Sequence, residues 1–196
     1  RKIALEDIGK LAQLRDLLQT RFGIRPSLCG GTLLGWYREC SIIPHTPDFD
    51  MAAPIEEYVH GMTAVMFNSR QFRVSRILGQ PIDSLELSFM PLPHGPQIDL
   101  FFLYRTHNLT YTPGLDAPSG TKIRWEYPKI ARFCTGELLG QLFRVPCEVE
   151  RVLETQYGLD WRNDHPTRLW HWSESSQNNR VVGTFSSQEM KEMRFY

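Results

Sequence analysis

Three short stretches hold residue types that could do chemistry together. Asp48-Phe49-Asp50 follows Pro44 and Pro47, which exclude a helix just before it, so residues 48–52 are expected to be extended. In an extended backbone, residues i and i+2 project to the same face. The two carboxylates then stand side by side while Phe49 turns into the core. Neighbouring carboxylates repel each other unless a cation sits between them, and a hard divalent ion, magnesium or manganese, takes oxygen ligands of this kind. The plainer reading of an isolated Asp-x-Asp is a solvated loop.

Asp99 interrupts an otherwise apolar run, Ile98-Asp99-Leu100-Phe101-Phe102-Leu103-Tyr104, that reads as a central buried strand. A carboxylate there is costly unless it is paired or bound to metal. It therefore calls for a shared cation, an Arg partner or a helix cap. The third stretch, Cys29-Gly30-Gly31-Thr32, sits where a strand candidate meets a helix candidate. Two glycines let backbone N–H groups approach a phosphate with no Cβ in the way; a tight turn is the alternative.

The elements that must position these residues follow from periodicity. Apolar residues from Ile3 to Leu18 recur at three- and four-residue spacing and predict a helix over 2–21, stopped by Gly23. A strand is expected over 24–29, a short helix over 32–39 and a second over 55–68. Strand candidates are 72–78, 85–90 and 97–104, the last two joined as a hairpin through Pro93, Gly95 and Pro96. Residues 112–121, rich in Pro, Gly, Ser and Asp, read as a loop. Residues 137–142 and 148–157 read as helices, the second ending at Gly158, and an irregular Trp-rich tail runs from 160. This order predicts an α+β fold, a mixed β-sheet flanked by helices. It is expected as one domain over 1–196, with helix 1–22 as its N-terminal element and the tail 160–196.

Composition narrows the function. Hydrophobic residues at 41% and charged residues at 22% allow a sizeable core. Lys plus Arg and Asp plus Glu both count 22, so the basic excess of a generic nucleic-acid binder is missing, and any phosphate must be met by local cations. No apolar run reaches the roughly 18 residues of a membrane span. The chain opens on Arg1, so a processed product or a piece of a longer protein is expected. Cys29, Cys40, Cys134 and Cys147 contain no Cys-x-x-Cys pair; two disulfides or four separate thiols are both open. His60, His94, His107, His165 and His171 lack metal-ligand spacing. Asn108-Leu109-Thr110 is a glycosylation sequon.

A Gly-Gly turn, an Asp-x-Asp strand about twenty residues on and a third Asp on a later strand form the nucleotidyltransferase pattern, in which carboxylates clamp one or two metals on a diphosphate. The words around them are more specific. Gly30-Gly31-Thr32-Leu33-Leu34-Gly35-Trp36-Tyr37-Arg38, followed by Ile43-Pro44-His45-Thr46-Pro47-Asp48-Phe49-Asp50, resembles the fukutin family and the wider LicD family of phosphocholine transferases. Residues 98–104, Phe143-Arg144-Val145-Pro146, Tyr157-Gly158-Leu159-Asp160-Trp161 and Trp170-His171-Trp172 are similar to later family motifs. His45-Thr46-Pro47 stands where the bacterial motif has Trp-Asp-Asp, so one carboxylate is absent.

The resemblance implies Asp48, Asp50 and Asp99 as catalytic residues and metal ligands for magnesium or manganese. It also implies a CDP-activated donor, a glycan or glycoprotein acceptor, and the lumen of the Golgi or endoplasmic reticulum behind an N-terminal membrane anchor. Gly30, Gly31, Thr32 and Arg38 are candidates for the donor pyrophosphate. Lys122, Arg124 and Lys129 could offset its charge, with Trp125 or Tyr127 stacked on the base; each also fits an exposed strand. Asp99 is the candidate base for the acceptor hydroxyl, since burial favours a protonated carboxylate, or it is a ligand alone. CDP-ribitol is the favoured donor. CDP-choline, a DxD glycosyltransferase and a catalytically silent glycan-binding member are the alternatives.

Overall fold

The computed structural model describes residues 3–165 and 169–196; the start of the first expected helix, at Lys2, lies outside them. Leu5–Asp7 is a 3-10 turn, and α1 follows over Ile8–Phe22, burying Leu11, Leu14 and Leu18. Gly23, at φ +73°, ends it and donates its N–H to the Gln19 carbonyl. The strand expected over 24–29 contracts to β1, Ser27–Leu28. The reason is local: the Ile24 N–H goes to the Leu18 carbonyl, the Arg25 N–H to Glu57, and Pro26 has none.

The short helix begins two residues earlier than expected, as α2, Gly30–Leu34, and widens into a π turn over Gly35–Glu39. β2 is Asp48–Pro54. The helix expected over 55–68 is broken into a 3-10 turn, Ile55–Glu57, and α3, Met62–Phe67, because Tyr58 is extended and Gly61 is left-handed at φ +85°. β3 (Phe72–Leu78), β4 (Glu86–Pro91) and β5 (Gln97–Arg105) lie where the alternation placed them, with β4 and β5 paired as the expected hairpin.

Three expectations fail downstream. Residues 112–121 are mostly strand: β6, Leu109–Asp116, pairs with β7, Thr121–Pro128. β6 meets β5 only at Thr110 and Tyr111, so Pro113 sits on a strand with one free edge, where proline is tolerated. Residues 137–142 are a hairpin between β8 (Phe133–Leu138) and β9 (Gln141–Pro146). Leu139 and Gly140 both take positive φ, the conformation that closes a two-residue hairpin loop. The tail is irregular only as far as residue 178 among the described residues; after α4 (Val149–Tyr157) it carries β10 (Asn179–Thr184), α5 (Ser187–Glu192) and β11 (Arg194–Phe195). β10 adds to β7 and β11 to β3, so the tail returns to two separate places on the sheet. Trp161 is buried, Trp170 packs on Tyr157 and Trp172 on Trp125.

The result is an α+β architecture with an eleven-stranded mixed sheet among the described residues, ordered β10-β7-β6-β5-β2-β1-β9-β8, flanked by helices. The sheet forks at β5. One edge of β5 runs parallel to β2 along the length of that strand; the other takes β4 over its first half and β6 over its end, and β3 follows β4. Register then sorts the side chains. Ile77, Leu87, Leu100, Met51 and Leu28 form one apolar row, and Val74, Phe89, Ile98 and Phe49 a second. Between those rows, on the opposite face, lie Arg76, Ser88, Asp99 and Asp50.

A bulge in β3 between Val74 and Arg76 is what puts Arg76, and not Ser75, opposite Ser88. No helix among the described residues is long and apolar enough to cross a membrane.

Cys134 and Cys147 form a disulfide across the β8–β9 hairpin, while Cys29 and Cys40 are free thiols, so neither two bridges nor four thiols is the outcome. Replacing both bridged cysteines by serine should lower the unfolding free energy by roughly 2–3 kcal/mol, the scale of a short closed loop, in urea titrations under oxidising conditions. Reductant should bring the parent protein to the same midpoint.

Candidate active site

The expected acids come together. Asp48 and Asp50 open β2, Asp50 is in direct register with Asp99 on β5, and Phe49 between them is fully buried on the other face. Asp48 and Asp50 are half-buried and Asp99 is buried. Two further groups join them on this face: Glu86 from β4, and Arg76 from β3.

The Gly-Gly-Thr junction serves Asp50 directly. The Gly31 N–H donates to Asp50 Oδ2 at 3.0 Å, and the Asp50 N–H donates to Thr32 Oγ1 at 2.8 Å. Gly30 sits at φ +50°, and a Cβ there would meet Asp50 Oδ2 at 2.8 Å. Glycine is therefore required twice over, for the backbone and for the approach of the carboxylate. Sequence reasoning aimed these amides at a phosphate; in the protein Gly31 holds a carboxylate.

Asp99 has a dense set of partners. Arg76 donates from one guanidinium nitrogen to both carboxylate oxygens at 3.0 Å, and Gln97 Nε2 reaches the same oxygens at 3.0 and 3.2 Å. Arg76 also donates to Ser88 Oγ at 2.9 Å and stands 3.4 Å from Glu86. The Arg partner that the buried strand called for is present. Of the four carboxylates on this face, Asp99 and Glu86 pair directly with the Arg76 guanidinium, and Asp48 feels its charge. Burial raises the pKa of Asp50 well above the usual carboxylate range, and the charges of Asp48 and Asp99 add to it. Asp48 is raised by burial and by Asp99, and Glu86 is pushed up to about 8 by burial and then by Asp99.

These oxygens suit a hard divalent ion in type and in excess charge, because a cation would relieve the repulsion that raises Asp48 and Asp50. Their placement stops one step short. Among the described residues, no three acidic, His or Cys groups surround a single point closely enough to coordinate an ion as they stand. Asp99 is turned to Arg76 and Gln97.

The remaining candidates are dispersed. Arg38, at the end of the π turn, donates to the Trp161 and Asn163 carbonyls and pairs with Glu39 and Asp164, so it fastens the 161–164 segment. Burial, and after it the charge of Asp50, raises the Tyr157 hydroxyl well above its usual range, while Arg38 lowers it. Lys122 pairs with Asp83 and Glu189 and covers the Phe185 ring, tying α5 to β7. Arg124 stacks over Tyr111 at 4.0 Å, and Lys129 is exposed past the end of β7. Trp125 and Tyr127 face inward on β7. A cleft of about 580 Å³ lies behind Tyr127, between the β6–β7 ends, α4 and residues 177–180, lined in part by Arg151, Glu154 and Arg180.

Sequence reasoning missed Arg76, Glu86, Ser88 and Gln97. The alternation of residues 85–89 already set Glu86 and Ser88 on the face opposite Leu87, and Gln97 lies two residues before Asp99 on the same face. Arg76 carried no such signal, because strict alternation groups it with Phe72 and Val74.

Residues 23–148 match the family described as LicD/FKTN/FKRP, nucleotidyltransferase domain. Two uncharacterized Caenorhabditis elegans proteins are 36% and 37% identical, over 95% and 92% of this chain and 50% and 48% of their own lengths. Human ribitol-5-phosphate transferase FKTN is 31% identical over 94% of this chain and 39% of its own length. The chain spans half or less of each of these relatives.

Folded Glu86 keeps its proton up to about 8, whereas an ordinary glutamate releases it near 4.5, so the folded state binds more protons across that window and stability falls as pH rises through it. The raised Asp48 and Asp50 act in the same sense. In divalent-free buffer the urea midpoint should drop between about pH 5 and about pH 8, and Glu86→Gln should flatten that drop.

Proposed function

We propose, for a chain that belongs to the LicD/FKTN/FKRP nucleotidyltransferase-domain family, that it transfers a phospho-alcohol group from a CDP-activated donor to a glycan hydroxyl and releases CMP. Ribitol phosphate is the group favoured, after the relative named ribitol-5-phosphate transferase. The observation that supports this best is the register of β2 with β5, which sets Asp50 beside Asp99 on one face with Asp48 two residues away.

Asp48, Asp50 and Asp99 would hold magnesium or manganese there. When bound, such an ion neutralises charge on the donor phosphate oxygens and orients them for attack. The protein's own groups do the rest. Gly31 and Thr32 fix Asp50 through its carboxylate and its amide. Gln97 orients Asp99. Both Asp99 oxygens accept charge-assisted bonds from Arg76.

A lumenal setting, Golgi or endoplasmic reticulum, agrees with the Cys134–Cys147 disulfide and with Asn108, exposed in the turn between β5 and β6. The acceptor would be a glycan or glycoprotein, with no nucleic acid involved and membrane attachment through a segment outside this chain.

Incubation with manganese, CDP-ribitol and an acceptor glycan should release CMP, and a chelator should stop it. Asp48→Asn and Asp99→Asn should each lower the rate by roughly a hundredfold or more with the circular dichroism spectrum unchanged. Turnover of CDP-choline alone would reassign the donor. No CMP from any CDP donor would leave a silent glycan-binding member as the reading.

A further inference from the structure

The guanidinium of Arg76 has no place in the transfer chemistry described above, yet it is at the centre of the acidic face. It bonds both oxygens of Asp99, touches Glu86 and is steadied by Ser88. Its side chain is about a third exposed, whereas those of Asp99 and Glu86 are almost fully buried. The cation therefore reaches the acids from the open side and retains room to move. Its strand is bulged immediately before it, which aims the side chain at this face.

We propose that Arg76 is an internal counter-cation: it occupies the charge position of a divalent metal at Asp99 and yields that carboxylate when the metal arrives. The inference rests on the acidic face being a cation site. It follows from the geometry of Asp99. Two oxygens already shared between Arg76 and Gln97 cannot also close around an ion held by Asp48 and Asp50, and a second cation beside the guanidinium is repelled. Metal binding and the Arg76–Asp99 pair are then mutually exclusive, and the free energy of the pair is subtracted from metal affinity. The opposite arrangement, in which Arg76 clamps Asp99 in its ligating position, predicts the opposite sign. The sign of one affinity change decides between them.

The test is titration of manganese into the metal-free protein, reading free Mn2+ by electron paramagnetic resonance, with no substrate and no turnover. Arg76→Gln should bind Mn2+ about tenfold tighter or more than the parent, the scale of a charge-assisted hydrogen bond removed from competition. Its metal-free melting temperature should fall, and the rise on adding Mn2+ should exceed the parent's. Arg76→Lys, which keeps the charge without the planar fork, should tighten binding by a smaller factor, and it decides the matter should Arg76→Gln fail to fold without metal. Equal or weaker Mn2+ binding in a folded Arg76 variant, with the parent binding normally, overturns the counter-cation role alone. A parent that binds no Mn2+ overturns the cation site itself, and this inference with it.

Discussion

Like charge forced together inside a fold is the constraint around which this molecule is built. Asp48, Asp50, Glu86 and Asp99 share one sheet face, where Arg76 pairs with Asp99 and Glu86, and burial withholds much of the water that would screen their repulsion. Such an arrangement survives only when the backbone leaves the side chains nowhere else to go. Phe49 supplies that constraint on β2: fully buried on the far face, it compels its two neighbours to project together. On β5 the apolar residues Ile98 and Leu100 do the same for Asp99.

The fork at β5 explains how four strands can converge on so small an area. A strand flanked on both sides along its full length would carry one neighbour per edge. Here β4 leaves the edge of β5 after Phe101 and β6 takes it over at Tyr104, so the first half of β5 faces the acidic groups and the second half belongs to the β6–β7–β10 layer. The tail then ties the two parts together, β10 on β7 and β11 on β3, with Lys122 and Glu189 pinning α5 between them. Two cations expected to meet a phosphate are used as fasteners instead, Lys122 on α5 and Arg38 on the 161–164 segment.

The parts of the fold that were legible from residue order are those where one face is apolar. β4 and β5 alternate or run apolar against a clear turn, and α4 ends at its glycine; each appears where periodicity put it. The Asp48-Phe49-Asp50 geometry was legible for the same reason. Misread segments are those where composition and geometry disagree. Residues 112–121 carry loop-like residues yet are drawn into β6 by pairing with β7. Residues 137–142 contain good helix formers, but the positive φ of Leu139 and Gly140 turns them into a hairpin. The fate of the Gly30-Gly31 amides was hidden too, because only the folded chain brings Asp50 against them.

The bulge in β3 has a consequence for how such a site can change over generations. Period-two alternation would place Arg76 with Val74 on the apolar face; one supernumerary residue flips it to the acids. The identity of the basic partner is thus encoded by residue count and not by side-chain type alone. Losing Ser75 alone would remove the bulge and leave Arg76 opposite Ser88, whereas one further residue inserted there, with the rest of the ladder kept, would turn the guanidinium to the apolar face while every acidic residue stayed in place. Length variation at this point, invisible to any inventory of acidic motifs, is a route by which descendants of one ancestral sheet could acquire different cation requirements.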